Sequence, residues 1–67
     1  MNFVRVISSD IAAIAINKNN LIIKFIKGGI YEYINAACEY EGLLNSTSKG
    51  KFFNSYIKNR YEYKKIN

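Results

Sequence analysis

The pair Gly28-Gly29, set between the apolar runs of residues 21–26 and 30–34, limits this chain more than any other feature. Glycine admits positive φ at a tight reversal, and apolar segments on either side then pair as antiparallel strands. Two registers are open. A two-residue Gly28-Gly29 loop pairs Lys27 with Ile30 and sets Phe25 opposite Glu32. A three-residue Lys27-Gly28-Gly29 loop, with Gly29 left-handed, pairs Ile26 with Ile30 and sets Lys24 opposite Glu32. The second is preferred, because it forms a cross-strand ion pair and gathers Leu21, Ile23, Phe25, Tyr31 and Tyr33 on one face. That face is the expected core. The reverse face would carry Ile22, Lys24, Ile26, Ile30, Glu32 and Ile34, too apolar to be left bare to water. Ile22, Ile26, Ile30 and Ile34 are therefore the expected oligomer interface.

Residues 3–7 read as a first strand, stopped by Ser8-Ser9-Asp10. Ala12, Ile14 and Ile16 alternate and lead into the polar turn of residues 17–20, so residues 11–16 read as a second strand. Residues 21–26 and 30–35 are the third and fourth. The spacing of Ala36, Ala37, Tyr40, Leu43 and Leu44 predicts a short helix over 36–45, weakened at Gly42 by up to about 1 kcal/mol relative to Ala. Ser46, Thr47 and Ser48 offer caps for a second helix through Ile57, with Phe52, Phe53, Tyr56 and Ile57 on one side. Residues 60–66 alternate and read as a closing strand, with Tyr61 and Tyr63 on one face. Tyr-Glu-Tyr occurs twice, at 31–33 and 61–63, with no longer self-similarity around it. The expected fold is α+β: an antiparallel β-meander of about four strands, two short helices on one face, and a closing C-terminal strand, all in a single domain over 1–67.

A chain of 67 residues buries only about 60% of its unfolded surface, and its single core supplies roughly 3–5 kcal/mol. Small proteins often add disulfides, a metal or a partner subunit. With one Cys and no His, an internal disulfide or a Cys/His metal site cannot be built within one chain, which leaves a partner and fits a reducing, cytoplasmic compartment. No apolar run approaches the roughly 18 residues of a membrane span, and Asp10 interrupts the only stretch resembling a signal peptide. No membrane partner and no cofactor are expected. Ten Lys and Arg against five acids give a net charge of +5, which favours anionic partners.

In combination, Ser8-Ser9, Phe25 with Gly28-Gly29, Tyr31-x-Tyr33, Ser48-Lys-Gly-Lys-Phe-Phe-Asn54, Ile57-Lys58 and Tyr61 resemble the KTSC domain. That domain is named for the C-terminus of some lysyl-tRNA synthetases and is also found in stand-alone bacterial and phage-type proteins. The resemblance spans nearly the whole chain. It implies RNA binding, the usual suggestion for the family, and no catalytic residues. The chain departs from the family's pattern in having Ala36-Ala37 where a Pro usually precedes the first helix, and in the isoleucines of its reverse hairpin face.

Enzymatic constellations are missing: the chain has no His, no Cys with a base, and Glu39 and Glu41 stand at i, i+2 on different sides of a helix. The leading expectation is a non-enzymatic binding module for an anionic ligand, most often RNA or another nucleic acid. Ser48, Lys49, Gly50 and Lys51 place backbone N–H groups, a hydroxyl and two ammoniums at the start of the second helix, and Lys58, Arg60 and Tyr61 follow it. Tyrosines interleaved with these charges suit base stacking, although Tyr31 and Tyr33 are assigned to packing first. The alternative is a small anti-defence protein of phage type: a homo-oligomeric sponge for a small anionic signalling nucleotide, or an inhibitor of an acidic host protein.

Overall fold

A computed structural model describes residues 2–67. Among these residues, five strands form one antiparallel sheet in chain order: β1 (Val4–Arg5), β2 (Ile11–Asn17), β3 (Asn20–Phe25), β4 (Gly29–Tyr33) and β5 (Tyr63–Lys65). The closing strand thus joins the meander as its fifth member. Between β4 and β5 lie a 3-10 turn (Ala37–Glu39), helix α1 (Tyr40–Asn45), helix α2 (Lys49–Phe52) and a π-helical turn (Phe53–Ile57).

The faces are as the alternation predicts, and the register is not. Ile23 lies opposite Tyr31 and Leu21 opposite Tyr33, so the aromatic and aliphatic residues share a face. Lys24, however, pairs with Ile30, and Phe25 with Gly29. The loop is Ile26-Lys27-Gly28, one residue earlier than expected, and Gly29 carries the positive φ of 89°. Starting the return strand at Gly29 displaces the pairing by two residues, which moves every partner yet leaves every side chain on its expected face. The Lys24–Glu32 pair is therefore replaced: Glu32 stands opposite Ile22 on one side and Lys64 on the other.

A bulge in β2 completes the core face. Ile11 pairs with Phe25 and Ala13 with Lys24, leaving Ala12 as the extra residue. Ile11 and Ile14, at a spacing that an unbroken strand would send to opposite faces, both reach the core. The bulge is set up by Ser8, whose hydroxyl accepts the N–H groups of Asp10 at 3.1 Å and Ile11 at 3.2 Å. Over this face lie Ala36, Leu43 and Ile57, fully buried against Ile11, Ile14, Leu21, Ile23 and Tyr33. Each such Ile or Leu removed from water contributes roughly 1.5–3 kcal/mol, so the helical segment is held by a few contacts of large effect.

The reverse face does not present the four isoleucines as one open patch. Ile22 has no solvent exposure in the single chain, Ile30 and Ile34 are half-buried, and only Ile26, in the turn, is open at 51%. Ile22 thus has no surface to offer a partner subunit, which removes that one residue from the expected interface. Beside it, buried Glu32 accepts hydrogen bonds from the Asn20 amide at 2.9 Å and the Asn17 amide at 3.2 Å, with Lys64 at 3.9 Å. The Asn20 bond holds the Glu32 carboxyl below its ordinary value of 4.5, against the opposing effect of burial and with help from Asn17 and Lys64. A carboxyl depressed in the folded state adds stability above the unfolded value, and that contribution disappears as pH falls through the folded value. Acid titration of unfolding should therefore show the wild type losing stability below about pH 4.5, with Glu32→Gln losing less over that window; equal acid slopes would show that Glu32 contributes nothing.

Candidate functional site

The sequence places three aromatic segments on the same face of the sheet. Phe25 ends β3, Tyr31 and Tyr33 alternate along β4, and β5 pairs so that Tyr63 lies opposite Tyr33 and Lys65 opposite Tyr31. Phe53 descends from the π turn. Together with Lys58 and Asn59 these aromatics line a cleft of about 240 Å³. The rings pack edge to face in its wall, Phe53 against Phe25 at 5.2 Å and against Tyr33 at 5.6 Å, both at 76°. Such edge-to-face pairs stabilise by roughly 0.5–1.5 kcal/mol beyond their burial. Tyr63 forms the lip, 61% exposed, with its ring centroid 5.6 Å from those of both Tyr31 and Tyr33.

The backbone that carries Lys58 and Asn59 is unusual. The Lys58 N–H donates to the Phe53 carbonyl at 2.8 Å, the five-residue reach of a π turn, and Asn59 follows with φ of 66°. A π turn and a left-handed non-glycine residue both recur at functional sites, because each must be held against a local preference. Here they end the helix abruptly and set one cation and one amide beside the aromatic wall. Burial, then the neighbouring Tyr63 and Tyr31, pushes the Tyr33 phenol up to about 12.

The remaining expected site residues are dispersed. Lys49, half-buried, donates to the Ser46 carbonyl at 2.9 Å. Gly50 lies so close to the Asp10 carboxylate that an added β-carbon would collide with it, so the start of α2 faces an acid of the chain itself. Ser48 stands at the cap position but its hydroxyl makes no capping bond. Lys51 is exposed and lines a shallow depression with Ser48, Phe52 and Tyr56. Arg60 and Tyr61 border a third depression with Ile34, Asn35 and Glu62. Tyr61 precedes β5 and does not share a strand face with Tyr63; its hydroxyl donates to Glu39 at 2.8 Å and lies 3.5 Å from the Cys38 sulfur. Those contacts, the Cys38 bond foremost, raise its pKa above the ordinary range of tyrosine. Of the expected anion-site residues only Lys58 reaches the aromatic cleft. Of the tyrosines interleaved with charge, Tyr56, Tyr61 and Tyr63, only Tyr63 lines the cleft, and Phe53 and Asn59 were missed there; the doubled Tyr-Glu-Tyr was the available signal, since it supplies Tyr31, Tyr33 and Tyr63.

Residues 7–61 match the family model described as the KTSC domain. Among solved structures, the chain is similar to a KTSC domain protein from Yersinia pestis, at 30% identity and a TM-score of 0.82, covering 98% of this chain and 97% of that one. No curated protein matches it significantly. The family match includes Phe25, Tyr31, Tyr33, Phe53, Lys58 and Asn59 of the cleft, while Tyr63 lies beyond it.

Proposed function

The chain belongs to the KTSC domain family, and from that premise we propose that it is a non-enzymatic binding module for nucleic acid, with RNA as its ligand. The observation that carries this reading is the cleft: five aromatic side chains with Lys58 at its edge and no carboxylate among its lining residues. Aromatic faces accept any base by stacking, and an ammonium beside them accepts phosphate, a combination that suits a polyanion carrying flat apolar rings. The net charge of +5 adds long-range attraction, whose signature is affinity that falls as salt rises.

Fluorescence anisotropy with a labelled mixed-sequence RNA, titrated at several salt concentrations, tests this. Binding should weaken steadily with salt, Lys58→Glu should weaken it about tenfold, and Lys51→Glu, away from the cleft, should have a smaller effect. Absence of RNA binding at low salt, or equal effects of the two substitutions, would remove the cleft as the site.

A further inference from the structure

Resting on the nucleic-acid reading, we propose that the cleft takes a single unpaired base inserted from a single strand, and that it excludes duplex. The cleft's 240 Å³ falls below the range of about 300–1,000 Å³ typical of sites for whole drug-sized ligands. That is room for one ring system. Its walls come from β3, β4, β5, the π turn and the residues that follow it, so a base reaches the rings only by entering with its face uncovered. In a duplex both faces are covered by neighbouring pairs, and exposing one requires unpairing and unstacking, whereas a single strand offers its bases at little cost.

The surrounding charges fit that pose. Tyr63 offers a largely exposed ring at the lip, tilted 35° from Tyr33 and 57° from Tyr31, on which an entering base can stack. Lys58 lies beside the cleft, and Lys65, paired directly with Tyr31, sits on the same sheet face. Phosphates on either side of an inserted base would thus meet a cation from the post-helix turn and another from β5. The Asn59 amide, with both a donor and an acceptor, is placed to hydrogen-bond the base edge.

Three probes of matched length separate the possibilities: a single-stranded RNA, the same sequence as a duplex, and a single strand of abasic nucleotides that keeps the phosphates. Base insertion requires the intact single strand to bind about tenfold or more tightly than either of the others. Tyr63→Ala should lower affinity for the intact strand to the level of the abasic one, leave abasic and duplex binding unchanged, and be rescued by Tyr63→Phe. Equal binding of abasic or duplex RNA would overturn insertion while leaving phosphate-driven RNA binding intact; no binding of any strand would overturn both. The abasic comparison uses the wild-type protein, so it decides the matter even if a Tyr63 variant folds poorly.

Discussion

Replacing Leu43 with Ala is expected to leave the protein largely unfolded at room temperature. Leu43 is the one fully buried residue of α1 and belongs to the cluster that joins the helical segment to Ile11, Ile14, Leu21 and Ile23. Truncating a buried Leu costs roughly 2–5 kcal/mol, the lost transfer energy plus that of the cavity left behind. A core in a chain this small supplies about 3–5 kcal/mol in total, so the loss is comparable to the whole stability. Urea denaturation followed by circular dichroism should show no folded baseline for Leu43→Ala, or one sharply shortened. A loss below about 1 kcal/mol would mean that α1 is not anchored by this side chain and that the sheet holds itself together.

Gly29→Ala should be strongly destabilising, whereas Gly28→Ala, its immediate neighbour, should be close to neutral. Gly29 has φ of 89°, a region that costs an L-residue roughly 1–2 kcal/mol. An added β-carbon there would also run into the carbonyl oxygen of Asn67 and approach Lys65 Cε to 3.1 Å. Relieving that overlap adds a further cost, typically about 1–3 kcal/mol. The Asn67 carbonyl also accepts the Ile30 N–H at 2.8 Å, so moving it away loosens the chain that follows β5. At Gly28 the new methyl would touch only Phe25, at an ordinary 3.4 Å. Thermal melts of the two variants side by side provide the measurement; equal melting temperatures would show that φ at Gly29 and the contact with Asn67 are inconsequential.

Gly42 shows where reading from local rules reaches its limit. By helix propensity it is a weak point, yet a β-carbon there would strike the Phe52 ring, so its absence lets α1 approach α2 closely. Nothing in the residues around Gly42 announces that neighbour. Ser48 to Lys51 shows the same limit: nothing local tells that Asp10 lies against Gly50 or that Lys49 turns back to Ser46, which leaves Lys51 as the exposed cation of that stretch.

The sequence by itself determined the antiparallel strands, the presence of two short helices and which side chains of β3 and β4 share the core face, because period-two alternation, a glycine pair and helical spacing are local signals that survive a two-residue shift in register. It also contained the cleft's ingredients, in Phe25, the two Tyr-Glu-Tyr triplets, Phe53 and Lys58. Only the tertiary structure decided the β3–β4 partners, the enclosure of Ile22 beside Glu32, and the meeting of Tyr63 with Tyr31 and Tyr33. The first depends on where the turn starts, which Gly28-Gly29 leaves open by a residue. The last depends on β5 returning beside β4 after two helices, an encounter between segments far apart in the chain whose register is fixed by packing across the sheet.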